Sequence, residues 1–320
     1  TLQTEETSGF AVPGNINFVM NTSMAKIRYD EMDITNLKGQ LMIEDETINM
    51  KQLAMNLLKG SMNMSGSYST KNTIHPKVAF LMDMQKVYIT ETANNFNTVE
   101  QMAPALKSAK GAVSVKMNLT GLLDDSLYLD LETVNATGRL KTHTVQIENE
   151  TLEKIDKALK VDKYNPLTVK DATIDFTIKD GKLETAPFTT KLGDVESTVY
   201  GYTNLDQQMN YTIDSKVPFD ALGGQVSKLA GSLASQLQSA GFGAGNVPEN
   251  IDVSIAITGD MTDPQVKPNF KGANGSQSTK DQVKDMAKEK VEELKNEATA
   301  KAKKEAEKIM AEARQQANKL

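Results

Sequence analysis

"ATIDFTIKDGKLET", residues 172–185, is the stretch whose reading decides the fold. Ile174, Phe176 and Ile178 alternate with polar residues up to Lys179-Asp180-Gly181, and the alternation resumes at Leu183. Period-two alternation puts every second side chain on one face of a strand, and an Asp-Gly loop reverses the chain. The stretch therefore predicts a β-hairpin with one apolar face. "LKGQLMIEDETINM", residues 37–50, has the same outline 135 positions earlier. At that offset Ile43 falls on Ile178, Asp45 on Asp180, Ile48 on Leu183, Leu53 on Phe188, Met64 on Val199 and Gly66 on Gly201, without a gap. A weaker register at an offset of 99 sets Phe18, Met20, Gly39 and Leu41 on Met117, Leu119, Gly138 and Leu140. The pattern predicts internal repeats, 16–135 and 136–268; the alternative is that independent meanders share one pattern.

Outward from these hairpins, the same alternation recurs at Met62–Met64, Val78–Met84, Val113–Leu119, Leu127–Leu131, Val145–Ile147, Met209–Val217 and Ile251–Ile257. About a dozen short strands at hairpin spacing predict antiparallel meanders rather than βαβ units. Residues 1 to about 15 read as a frayed entry. Helical signals are few. Asn97 and Glu100 have capping-box spacing in a segment that Gly111 should stop, and Leu152, Ile155 and Leu159 share a helical stripe. Leu222, Val226, Leu229, Leu233 and Leu237 form the stripe of an amphipathic helix. Residues 280–320, rich in Lys, Glu and Ala and lacking Gly, Pro and aromatics, read as one long helix. The expected layout is a β domain over 1–270, a linker at 271–279 and this helix, whose mostly alanine stripe and mixed charge suit a solvated rod or a partner contact.

A net charge of −6 argues against a polyanion partner, since phosphate binding needs clustered Lys and Arg, so nucleic acid is not expected. The absence of cysteine removes disulfides, thiolate nucleophiles and Cys-ligated zinc together. Neither histidine, His75 nor His143, has a second ligand at metal spacing, so no metal is expected. No nucleophile elbow, Walker loop or dinucleotide fingerprint appears. The acidic pairs Glu44-Asp45 and Asp124-Asp125 lie at predicted turns, where Asp supports the bend. The expectation is a non-enzyme without a cofactor; Asp124, Asp125 and His143 are the only catalytic set worth testing.

A dozen strands about 4.8 Å apart make a sheet far wider than three short helices can cover. Either it folds on itself as a partly open sandwich with a dry core, or it curls into a trough lined by apolar side chains and suited to acyl chains. The methionines at 50, 55, 62, 64, 82, 84, 102 and 117 would give such a trough soft walls. The fold class expected is mainly β: a long curled antiparallel sheet plus a C-terminal helix.

In order, "ATGRLKTHTVQI" (136–147), a short helix, "VKDATIDFTIKDGKLETAPFTTKLGDVESTVYGYTNLDQQMNYTIDSKVP" (169–218), the stripe at 222–237 and "IDVSIAITGDMTDPQVKP" (251–268) resemble the C-terminal region of AsmA-family proteins. The resemblance covers 136–268 well and 34–135 more loosely; each motif alone is a common hairpin, and their order makes the likeness. It implies a periplasmic envelope protein of diderm bacteria, held in the inner membrane by an N-terminal helix not in this chain, and supporting outer-membrane assembly. It also implies a hydrophobic β-groove that binds or carries phospholipid, with no enzymatic activity. The inward-facing candidates are Leu140, Ile174, Phe176, Ile178, Leu183, Val199, Tyr211 and Ile213. The competing reading is a scaffold with a dry core whose helix 280–320 binds an envelope protein; that helix is foreign to the AsmA pattern.

Overall fold

The computed structural model of the chain describes residues 11–29, 32–71, 74–96, 107–159, 165–218 and 250–271, all within one compact unit, Thr1–Asn274. In chain order the elements are β1 (Phe18–Tyr29), β2 (Met32–Glu44), β3 (Thr47–Leu57), β4 (Gly60–Ser69), β5 (Lys77–Tyr88), α1 (Ile89–Asn95), β6 (Ala109–Leu122) and β7 (Asn135–Ile147). They continue with α2 (Glu150–Leu159), β8 (Leu167–Lys170), β9 (Thr173–Lys179), β10 (Lys182–Leu192), β11 (Val195–Asn204), β12 (Gln208–Pro218), β13 (Asn250–Asp260) and β14 (Gln265–Lys271). Every strand pairs antiparallel in one sheet that is not closed, and chain order is sheet order except that β8 and β9 both pair with β7. The path of strands is about 60 Å across at the usual spacing.

Most strands are longer than the sequence pattern suggests, because β-bulges carry them past breaks in alternation. In β3 the apolar period slips between Met50 and Leu53, which reads as two strands; a bulge there absorbs the extra residue and keeps both side chains on one face. The β10–β11 pairing slips between Thr185 and Phe188, 135 positions later. The hairpin loops correspond as well. Asp45 and Glu46 both have positive φ, as do Asp180 and Gly181, the geometry of a two-residue loop that matches strand twist. Ile43 pairs with Ile48, and Ile178 with Leu183. The 99-residue offset finds no counterpart in the pairing. Met20 faces Leu41, whereas their equivalents Leu119 and Leu140 face Ala136 and Val115.

Three expectations give way. The alternation at Leu127, Leu129 and Leu131 does not make a strand but a capped loop. Ser126 and Tyr128 N–H donate to Asp124 Oδ1, Glu132 N–H donates to Asp130 Oδ1, and Leu122 N–H donates to Thr133 Oγ1. These local bonds compete successfully with a ladder. Gly111 ends no helix; it sits in β6 with φ 124 at a bulge against β7, while residues 97–106 lie outside the described residues. The helix near that point is α1, which follows β5 directly at Ile89, where no helix is expected. Residues just before β1 are not frayed: Val12 is buried and its N–H donates to Thr70 Oγ1 at 3.1 Å. The stripe 222–237 and helix 280–320 lie outside the described residues.

Among the described residues the core is three clusters of buried apolar side chains. One joins Leu152 and Ile155 of α2 to Ile213, Val253, Ile255 and Ile257. A second gathers around Val87, Ile89 and Ala109 at the α1 end, and a third around Val134, Ala136 and Ile178 under the loop that follows β6.

Candidate functional site

Antiparallel register partners point to the same side of a sheet, so the pairing assigns every side chain to a face. One row runs Met20–Leu41–Met50–Gly66–Phe80–Leu119 across β1 to β6. It continues Ala136–Ile178–Leu183–Thr203–Met209 through β12. The next row begins Leu53–Met64–Met82–Met117 and passes through Gly138 and Phe176 to Tyr211, Ile257 and Val266. A third is Met55–Met62–Met84–Val115–Leu140–Ile174. Apart from glycines and two threonines, the two long rows are apolar from end to end.

The opposite face is mainly polar, with Val19, Met42 and Leu81 as apolar exceptions. Its rows read Asn63–Asp83–Lys116–Arg139–Asp175 and Ser65–Leu81–Asn118–Thr137–Thr177–Glu184. Lys116 Nζ lies 3.0 Å from Asp83 Oδ2, and Arg139 grips Asp175 with Nε–Oδ1 at 2.6 Å and Nη2–Oδ2 at 2.9 Å. Burial pushes the Asp83 carboxyl up, but bonds from Gln85 and Lys116 outweigh it and leave it below its ordinary value. The Asp175 carboxylate holds the Arg139 guanidinium above its ordinary pKa. Exposed pairs contribute little, so Arg139→Ala should change unfolding free energy by less than about 1 kcal/mol in a urea titration.

All eight groove candidates share the apolar face. Leu140 pairs with Ile174, Ile178 with Leu183 and Val199 with Ile213, while Phe176 and Tyr211 occupy one row. They differ in depth. Ile178 (9% exposed) and Ile213 (8%) are packed into the clusters, and the other six are half-buried. Seven of the eight methionines singled out, all but Met102 outside the described residues, meet on this face. Met55, Met62, Met84, Met64, Met82 and Met117 are contiguous and half-buried.

The repeat alignments matched Gly66 with Gly201 and Gly39 with Gly138, but alternation gave these glycines no role on the face. A Cβ at Gly138 would stand 2.4 Å from Phe176 Cζ, one at Gly66 2.6 Å from Phe80 Cδ1, and one at Gly201 2.7 Å from Tyr211 Cδ1. Each glycine lets a ring from the next strand lie down over the backbone, which lowers the face and widens it laterally. Burial raises the Tyr211 phenol, an effect that the Thr203 and Thr185 hydroxyls partly offset.

The residues considered for catalysis do not converge. His143 Nε2 bonds Ser114 Oγ at 2.9 Å, whereas Asp124 caps its own loop beyond the far end of β6, about 25 Å along the strand. Asp125 Oδ1 lies 3.7 Å from His75 Nδ1 instead. Among the described residues no group of three or more His, Cys, Asp or Glu could hold a metal ion. No described helix is long and apolar enough to cross a membrane.

Fold and site together define an open, one-sided antiparallel β-sheet. No family model, curated protein or solved structure matches the chain.

Proposed function

We propose that the chain binds phospholipid acyl chains along the apolar face of its sheet, in the manner of an AsmA-like periplasmic protein that supports the outer membrane. The observation that carries this reading is the two long, almost wholly apolar rows, each eleven strands in width, backed by a mainly polar face. Such asymmetry sets one side against water and the other against something apolar. The half-burial of most of this face leaves area for a ligand, and the Met patch adapts to chains of varied length and unsaturation. A trough-like curl of the open sheet is part of the proposal, as is transfer of lipid between membranes.

Protein purified without detergent and extracted for lipid mass spectrometry should yield co-purifying phospholipid in near-stoichiometric amount. A lipid-free protein that also leaves fluorescent phospholipid unbound would overturn the reading, and leave the dry scaffold in its place.

A further inference from the structure

The two edges of the sheet are not alike. β14 has seven residues and carries Pro268, whose missing N–H cannot extend a ladder, beside Lys267. Both are devices that keep an edge from pairing. β1 has twelve residues, no proline and no charge before Lys26. Of the large apolar side chains that are exposed, five lie in or beside this strand: Ile16, Phe18, Val19, Met24 and Tyr29, between 41% and 70% exposed. Its only charges, Lys26 and Arg28, sit near one end, 2.8 Å and 3.7 Å from Asp33 of β2.

We infer that β1 joins two copies of this chain, strand to strand and antiparallel, about a two-fold axis perpendicular to the sheet near Asn21–Ser23. Antiparallel pairing of one strand with itself is self-complementary and closes at a dimer. Pro268 opposes the head-to-tail alternative, in which β1 would add to β14 of the next copy without closing. The perpendicular axis keeps both apolar faces on one side, so the row that begins at Met20 runs on through Met24 and Leu37 of the second copy. Pairing centred between Asn21 and Ser23 sets Lys26 and Arg28 opposite the uncharged stretch 14–20, so no like charges meet. An unrelated extended peptide would satisfy the same backbone groups, but the neutralised charges and the dyad-compatible pattern favour a second copy. The inference does not rest on lipid binding.

Light scattering on the full chain should give a mass near 70 kDa, twice the 35.0 kDa of the chain. Asn21 and Ser23 are exposed on the mainly polar side, so Asn21→Lys with Ser23→Lys should give a folded monomer, its dimer dissociation constant raised at least 100-fold. Asn21→Glu with Ser23→Glu should likewise be monomeric, and mixing the two variants should restore the dimer. Because the chain has no cysteine, an equimolar mixture of Asn21→Cys and Ser23→Cys, which face each other across the dyad, should form a disulfide-linked dimer on mild oxidation, and Gln265→Cys on the β14 edge should not. A monomeric wild type, a lysine variant that stays dimeric, a mixture that fails to reassemble, or equal cross-linking from both edges would overturn the inference.

Discussion

Ile213→Asp should unfold the protein, whereas Ile174→Asp should leave it folded and without lipid. The two positions lie on the same face of the sheet but at different depths. Ile213 is 8% exposed and packs among Val253, Ile255 and Leu192 in the cluster that α2 closes. A carboxylate there loses the transfer and packing energy of isoleucine and must in addition desolvate a charge or take up a proton. Together these cost about 5 kcal/mol, comparable with the whole stability of a typical domain. Ile174 is half-buried beside Leu140 and belongs to none of the three clusters. An aspartate there reaches water at a cost of about 1–2 kcal/mol, yet plants a charge on the surface proposed for acyl chains. Circular dichroism and thermal melting report the fold, and lipid mass spectrometry reports occupancy. An Ile174→Asp protein that melts normally and keeps its full complement of lipid would exclude that face as the binding surface. An Ile213→Asp protein that melts like wild type would show that the cluster is not packed as described.

How much of this was legible beforehand varies with the physics involved. The hairpins at 37–50 and 172–185 could be read outright, since alternation and loop chemistry are local, and both predicted pairings occur. That all eight groove candidates share a face followed from the same parity. Burial did not: Ile178 and Ile174 are written alike in sequence, and only packing against the loop after β6 separates them. Bulges were invisible as bulges, because a slip from Met50 to Leu53 looks like the end of one strand and the start of another. The loop at 122–134 misled for the converse reason: its leucines alternate, but Asp124 and Asp130 satisfy the backbone locally. Helix α1 left little trace. Its seven residues carry a single i, i+4 apolar pair, Ile89 and Ala93, too short to read as a stripe, and the pair Lys59–Glu91 at 2.6 Å that also holds it is not encoded by any local pattern.

The glycines carry the second large effect, and Gly201→Val should destabilise the protein by about 3 kcal/mol or more. Gly201 has φ 151, and a Cβ there would stand 2.2 Å from the Asn210 carbonyl oxygen and 2.6 Å from Tyr211 Cα. Backbone cannot yield as a flexible side chain does, so β11 and β12 must separate or the Tyr211 ring must lift from its place. Gly66, its equivalent at the 135-residue offset, meets the same obstacle, with Ala79 O at 2.1 Å and Phe80 Cδ1 at 2.6 Å. The loss at Gly66→Val should therefore be of similar size. Gly193 is the control: φ is 61, but nothing lies within 4 Å, so Gly193→Ala should cost only about 1 kcal/mol. Urea titrations of the three variants measure the difference directly. If Gly201→Val falls no further than Gly193→Ala, the rings do not lie on the strands. The apolar face would then be rougher than an acyl chain can follow. If Gly66→Val and Gly201→Val fall together, the two halves of the sheet flatten this face by the same means, and the face can receive a ligand across both.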